Sequence, residues 1–263
     1  MNNLDRNWNN LFGEYTTDET AWHGQWNSYS PEQELIKSKQ AVRSFRSNID
    51  QTAITHTNRY LDADGNVIDE KSWQIDRDTW NQPSGLSHPA ISSMRTLSFG
   101  AGGGSAWLSH KLILGNACGL ELFFRNHEWR MSVAIVYGEN GQLDRITHIR
   151  EHRGCFSDEL LSEERSEISG NWIGKKRSMT PDLSISPEED VRVSFDRTID
   201  DRQIICLPGN TIVQVSKSIN ANQPIQLAAG HRTADHQLQH LAAHYDNTGT
   251  FIELISATLQ PTS

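Results

Sequence analysis

Leu4, Trp8, Leu11 and Phe12 fall on one helical stripe, and their spacing predicts a short amphipathic helix over residues 4–15. Such a helix lids or plugs one end of a β-barrel, or gates a pocket mouth. From Trp22 onward the period shortens to that of strands. Residues 42–49 alternate about Phe45, and the Thr-rich stretch 53–61 ends on Tyr60. Asp62-Ala63-Asp64-Gly65-Asn66 is a hairpin signal, because Gly and Asn tolerate positive φ, and it leads into 67–75 with Trp73. Residues 83–89, bounded by two prolines, read as a loop. Further strands are expected at 94–99, 120–124, 129–137 and 143–151, the last two joined by the hairpin Tyr137-Gly138-Glu139-Asn140-Gly141. Residues 153–169, rich in Glu and Ser and poor in large apolar side chains, read as a linker.

The pattern then repeats. Gly24-Gln25-Trp26 returns as Gly170-Asn171-Trp172, Ser44-Phe45 as Ser194-Phe195, and the Tyr137–Gly141 hairpin as Tyr245 to Gly249. The offsets are 146, 150 and 108, so the second copy is shorter; residues 66–89 are one candidate for what it lacks. The predicted fold is all-β: two tandem lipocalin-like antiparallel β-barrels with a short N-terminal helix. Barrel 1 takes residues 1–155, the linker 156–168, and a smaller barrel 2 residues 169–263. Gly24 and Gly170 are expected to bend the chain at each barrel floor and Trp26 and Trp172 to close it. Arg145 or Arg150, from the last strand of the first copy, is expected to cover Trp26 as a cation–π partner.

Composition narrows the possibilities. A hydrophobic content of 36% over 263 residues suits two small barrels better than one large core. The net charge of −9 argues against nucleic acid and against an anionic membrane surface. No apolar run approaches the roughly 20 residues of a membrane span, and no signal segment opens the chain. Cys118, Cys155 and Cys206 have no CxxC pairing, and read as free thiols in the cytoplasm, with no metal site. The cluster Gly100 to Gly104 is followed by Ser105-Ala106-Trp107, without the Lys-Ser/Thr of a phosphate loop or the second Gly of a nucleophile elbow; it reads as a hairpin tip. Glu188-Glu189-Asp190 reads as a solvated turn.

Candidate chemistry sits in the first copy. Arg43, Phe45, Asn58 and Tyr60 alternate on strands, and Trp73, Trp107 and Trp129 are of a size to wall a planar ligand or to fill a core. An inward Arg43 would pair with the carboxylate of a fatty acid or a tetrapyrrole propionate; an outward one would be solvated. His236, His240 and His244 recur every four residues. On a helix neighbours would lie about 6 Å apart and chelate a metal. On a strand they would lie about 13 Å apart and share no ion. The repeat favours the strand.

Trp22-His23-Gly24-Gln25-Trp26, Tyr29-Ser30-Pro31, Arg43-Ser44-Phe45-Arg46 and Thr57-Asn58-Arg59-Tyr60 with Asp64-Gly65 together resemble a cyanobacterial family known as a domain of unknown function. That family is placed in the calycin superfamily with lipocalins and phycobiliprotein lyases. The resemblance covers most of the chain and implies two lipocalin-like domains; it brings no established reaction. Function is therefore expected to be binding of a small apolar molecule in barrel 1, a tetrapyrrole, carotenoid or fatty acid. The alternatives are a bilin lyase or isomerase, and a protein-interaction module acting through barrel 2 without ligand.

Overall fold

The computed structural model describes residues 1–157, 168–195, 202–220, 222–234 and 237–262. Helix α1 (Asn3–Phe12) is capped by Asn2, whose side chain accepts from the Asp5 amide. The strands that follow are β1 (Thr20–Tyr29), β2 (Leu35–Ser47), β3 (Ala53–Leu61) and β4 (Val67–Asp76). A helical turn α2 (Arg77–Trp80) leads to β5 (Asn81–Gln82), β6 (Gly85–His88), β7 (Ile91–Ser98), β8 (Ser105–Ser109), β9 (Cys118–Asn126), β10 (Trp129–Tyr137) and β11 (Leu143–Arg153). These eleven form one antiparallel sheet in the order β4-β3-β2-β1-β11-β10-β9-β8-β7-β6-β5. A second antiparallel sheet contains β12 (Asn171–Met179), β13 (Glu189–Ser194), β14 (Arg202–Leu207), β15 (Thr211–Ser216), β16 (Ile225–Ala234), β17 (Gln237–Tyr245) and β18 (Phe251–Pro261). Its order is β13-β12-β18-β17-β16-β15-β14. The fold is all-β: a large, nearly closed, barrel-like sheet and a second sheet.

Two observations show how far the first sheet rolls. Its edge strands β4 and β5 are joined by the single turn α2. Arg43 on β2 reaches Glu121 on β9 at 3.4 Å, although on a flat sheet those strands would be about 19 Å apart. Helix α1 plugs one end of the roll: Trp8, Phe12 and Tyr15 pack with Ile54, Ile75 and Leu86, and the Trp8 indole donates to the Gln51 carbonyl at 3.0 Å. Trp8, Leu11 and Phe12 of the predicted stripe thus do the plugging expected of them, while Leu4 packs against the larger core. The region 83–89 is a correction. It holds β6, with Pro83 and Pro89 just outside its ends, where a missing N–H costs no ladder bond.

The largest apolar core lies between the two sheets. Leu108, Leu122, Val133 and Ile135 on one face meet Val213, Leu227, Leu241 and Leu254 on the other. The seam is reciprocal. Leu112 N–H donates to Gly249 O at 2.8 Å and Phe251 N–H to His110 O at 3.0 Å. In mirror fashion Ile219 N–H donates to Gly141 O at 2.8 Å and Leu143 N–H to Lys217 O at 2.9 Å. Each sheet's closing hairpin is therefore held by the other sheet's loop, the pattern of a two-fold interface. The hairpins match in detail: both carry a register shift at the tyrosine, Tyr137 facing Leu143 and Tyr245 facing Phe251.

The repeat has a different phase from the Gly-x-Trp reading. In the strand register Trp22 faces Arg43 and Arg153, and Gly24 faces Ala41 and Glu151. In the second sheet Trp172 faces Val193 and Pro261, and Gly174 faces Val191 and Leu259. The repeated unit is Trp-x-Gly, Trp22 to Gly24 and Trp172 to Gly174, and it shares its offset of 150 with Phe45 and Phe195. Gly170 stands before β12 at φ +76°, a turn position whose carbonyl accepts from the Phe195 amide. Gly24 and Gly174 do something else. A Cβ on Gly24 would lie 2.4 Å from Glu151 Cγ, and one on Gly174 would lie 1.9 Å from Thr258 O, so each lets the neighbouring strand approach.

Candidate functional site

Alternation along β2 turns Lys39, Ala41, Arg43 and Phe45 to the inside of the first sheet. The facing inward positions are Trp22, Gly24 and Trp26 on β1, and His56, Asn58 and Tyr60 on β3. Across the roll come Glu121 and Phe123 from β9, Arg130 and Ser132 from β10, and Glu151 from β11.

At the centre is a buried charge quartet. Arg43 Nη2 lies 3.4 Å from Glu121 Oε1, and Arg43 Nε lies 3.6 Å from Glu151 Oε1. Arg130 Nη2 lies 2.7 Å from Glu151 Oε2, and the Ser132 hydroxyl donates to Glu121 Oε1 at 2.7 Å. Burial works against the Arg43 charge, and Glu151 and Glu121 more than offset it, so its pKa is raised. Arg43 does face inward, as one of the two sequence readings has it. Its charge is already balanced within the protein.

Aromatic rings surround this quartet. Phe45 is sandwiched between Tyr15 at 4.8 Å and His56 at 4.6 Å. His56 continues to Trp73 at 5.2 Å, and His88 meets both Trp73 at 5.2 Å and Trp107 at 5.7 Å. Trp26 meets Tyr60 edge-on at 5.7 Å. Trp26, Tyr60, Trp73, Trp107 and Phe123 are each only partly buried, although all project into the roll. Deeper in, Trp22 is fully buried beneath the Arg130 guanidinium.

A relay of neutral histidines stiffens the wall. The Ala90 amide donates to His88 Nδ1 at 3.1 Å, so His88 carries its proton on Nε2 and donates to His56 Nδ1 at 2.8 Å. His56 Nε2–H in turn donates to Asn58 Oδ1 at 3.1 Å. Burial first, then Arg43, holds His88 down to about 4; burial, then His88 and Arg43, puts His56 well below the usual imidazole range.

Of the sequence candidates, Arg43, Phe45, Asn58, Tyr60, Trp73, Trp107, Gly24 and Trp26 converge on this cup. Trp129 does not: one residue out of phase with Arg130, it sits on the opposite face against His152 and under Arg150 at 4.0 Å. Arg150 therefore does not cover Trp26, because it faces Gln25 on the outer side of the sheet. The cations over Trp26 are Arg43 and Lys39, each at 4.8 Å, and Arg145 pairs with Asp144. Trp172 is buried against Phe195. His240 and His244 lie on strand β17, His240 against Gln214 and His244 against Glu253; His236 lies outside the described residues. Among the described residues no group of three or more His, Cys, Asp or Glu is placed to hold a metal ion, and no helix is long and apolar enough to cross a membrane.

Sequence reasoning missed Lys39, His56, His88, Glu121, Arg130 and Glu151. Glu121 left a trace, a lone charge inside the apolar run Leu120 to Phe124, and Lys39 is two alternations from Arg43. The inward end away from α1 is bordered by exposed Leu35, Ile36, Val67 and Ile68 on the β1–β2 and β3–β4 hairpins. A separate groove of about 790 Å³ crosses β12, β13 and β18 beside Gly102 and Gly103. Its lining is charged in both signs, with Lys175 paired to Asp190 at 2.8 Å, as on a solvated face.

One solved structure shares this architecture. A solved structure of a protein of unknown function from the DUF3598 family of Nostoc punctiforme superposes with a TM-score of 0.75 at 16% identity, covering 97% of this chain and 99% of that one. A putative AttH from Nitrosomonas europaea gives a TM-score of 0.24 at 8% identity, over 95% and 93%. No curated protein matches. The family described as domain of unknown function (DUF3598), N-terminal, matches residues 4–156, more than half of the sequence, and the chain belongs to that family.

Proposed function

We propose that the chain is a lipocalin-like carrier in the cytoplasm, holding one small molecule with a flat or extended apolar body against the inner face of its first sheet. Tetrapyrroles, carotenoids and fatty acids are the candidate classes, and the calycin relationship and cyanobacterial setting belong to the same proposal. The observation that carries it is that Trp26, Tyr60, Trp73, Trp107 and Phe123 project into a rolled sheet and remain partly accessible. Side chains that only fill a core are driven to full burial, as in the second sheet, where Trp172, Phe195, Ile212, Leu238 and Leu259 close upon one another. The apolar lip of Leu35, Ile36, Val67 and Ile68 suits entry of such a molecule. The test is titration of the full chain with hemin, biliverdin, a carotenoid and decanoate, read by tryptophan emission and calorimetry. Saturable one-to-one binding of at least one, weakened in Trp107→Ala, is expected; failure of all four overturns the reading.

A further inference from the structure

The inner face of the first sheet is short of acceptors. Both of its deep carboxylates, Glu121 and Glu151, are engaged by Arg43 and Arg130. Four donors are not matched, one of them the deeply buried indole N–H of Trp22. The indole N–H groups of Trp26 and Trp107 are buried with no acceptor among the described residues. Lys39, directly opposite Trp26 in the strand register, holds its Nζ 4.0 Å from the centre of the Tyr60 ring and 4.8 Å from that of Trp26. No carboxylate reaches ion-pair distance of it among the described residues. The nearby charges that act on it are mostly of its own sign: Lys37 on its strand, Lys71 on β4 and Arg43 on β2, with Asp69 on β4 opposing them with the smallest effect. A half-buried ammonium resting on two rings, among other cations, is a site for an anion.

We infer that Lys39 is the head-group anchor of the cup, and that its ligand is an amphiphile whose carboxylate pairs with Lys39 Nζ while its apolar body lies along Tyr60, Trp26, Trp73 and Trp107. The Trp26 N–H supplies the neighbouring donor, and the Trp107 N–H serves an oxygen deeper in the cup. The inference rests on the binding reading above and deepens it, because it moves the anion-binding role from Arg43, already neutralised, to Lys39. It disfavours carotenoid hydrocarbons and keeps two sources of the same chemistry, a fatty acid and a tetrapyrrole propionate. Burial, then the like charges, hold Lys39 down to about 8, so the anchor is charged at pH 7 and loses its proton within a mildly alkaline range.

Calorimetric titration of the full chain with two matched pairs tests this: decanoate against decanol, and biliverdin against its dimethyl ester. At pH 7 one acid is expected to bind at least about tenfold more tightly than its neutral partner, and the pair that shows the preference identifies the source. Lys39→Met removes the preference, read as the ratio of the acid's affinity to the neutral partner's, whereas Lys39→Arg retains it. Raising the pH to 9.5 erodes the preference in the native chain and not in Lys39→Arg. Equal affinity for acid and neutral partner, or a preference that survives Lys39→Met, overturns the inference and leaves the carrier reading in place. No binding by any of these four compounds overturns the inference, and the carrier reading then stands or falls on hemin and the carotenoid.

Discussion

The inner faces of the two sheets are built on one framework and filled in opposite ways. The shared register places Arg43, Arg130 and Glu151 of the first sheet where the second has Val193, Leu238 and Leu259, and Glu121 where it has Ala228. Trp22 and Trp172, Gly24 and Gly174, Phe45 and Phe195 are common to both. The framework therefore does not need the quartet. A buried ion-pair cluster rarely stabilises more than apolar side chains of like volume, so its presence in one sheet alone points to a demand other than folding. The second sheet shows what the unit becomes when that demand is absent: Trp172, Phe195, Ile212 and Leu238 in contact with one another.

The sharpest way to break this contrast is to transplant it. Glu151→Leu strips Arg130 of its carboxylate and leaves Arg43 with Glu121 alone; a loss of about 3–5 kcal/mol is expected in urea unfolding. The fourfold replacement Arg43→Val, Glu121→Ala, Arg130→Leu, Glu151→Leu should recover most of that loss while abolishing ligand response. A fourfold variant as unstable as the single one would show that the two faces are not interchangeable.

Acid is the next lever. His88 and His240 are both held to about 4, in each case by burial first, then by Arg43 for His88 and by His244 for His240. Their folded pKa lies below the unfolded value near 6.5, so between those limits the unfolded chain binds more protons. The stabilisation is complete above about pH 6.5 and is lost as the pH falls toward 4, by about 3 kcal/mol per histidine at pH 4. Unfolding measured against pH in His88→Gln and His240→Gln should show a flatter acid limb in each. Flattening by His240→Gln alone would mean that the first cup is wet enough for His88 to protonate while folded.

Smaller effects test the common framework. Gly24→Ala and Gly174→Ala each press a Cβ into the neighbouring strand and should cost about 1–3 kcal/mol. An unaffected Gly24→Ala would separate the two glycines. Smallest of all, Trp107→Ala should cost at most about 1.5 kcal/mol, because its ring is only partly buried, yet weaken the best ligand of the panel several-fold. A larger stability loss without a binding effect would make Trp107 a core residue like Trp172.

Local signals made much of this legible from the residues alone. The α1 stripe, the Gly65 and Gly141 turns and the hairpin tip at Gly100 to Gly104 follow from periodicity and turn chemistry over a few residues, and the strand carrying His240 and His244 follows from the repeat. What stayed hidden depends on partners distant in sequence. Arg43 meets Glu121 only because the sheet rolls, and nothing near Arg43 announces this. The Trp-x-Gly phase was masked because Trp26 and Gly170 supply a second, unrelated Gly-x-Trp match. Trp129 failed as a wall residue because a one-residue slip moves a side chain to the other face. The strand β6 was masked by its flanking prolines, and with it His88, the link between Trp73 and Trp107.

The reciprocal hairpin contacts carry a consequence for how such a molecule changes over time. At Leu112 with Gly249, and at Ile219 with Gly141, each half grips a loop of the other through main-chain atoms, which a substitution can displace but cannot replace. That border is common property and resists drift on both sides at once. The inner faces behind it carry no such mutual constraint, so one half could fill with apolar side chains while its twin kept charges and open rings.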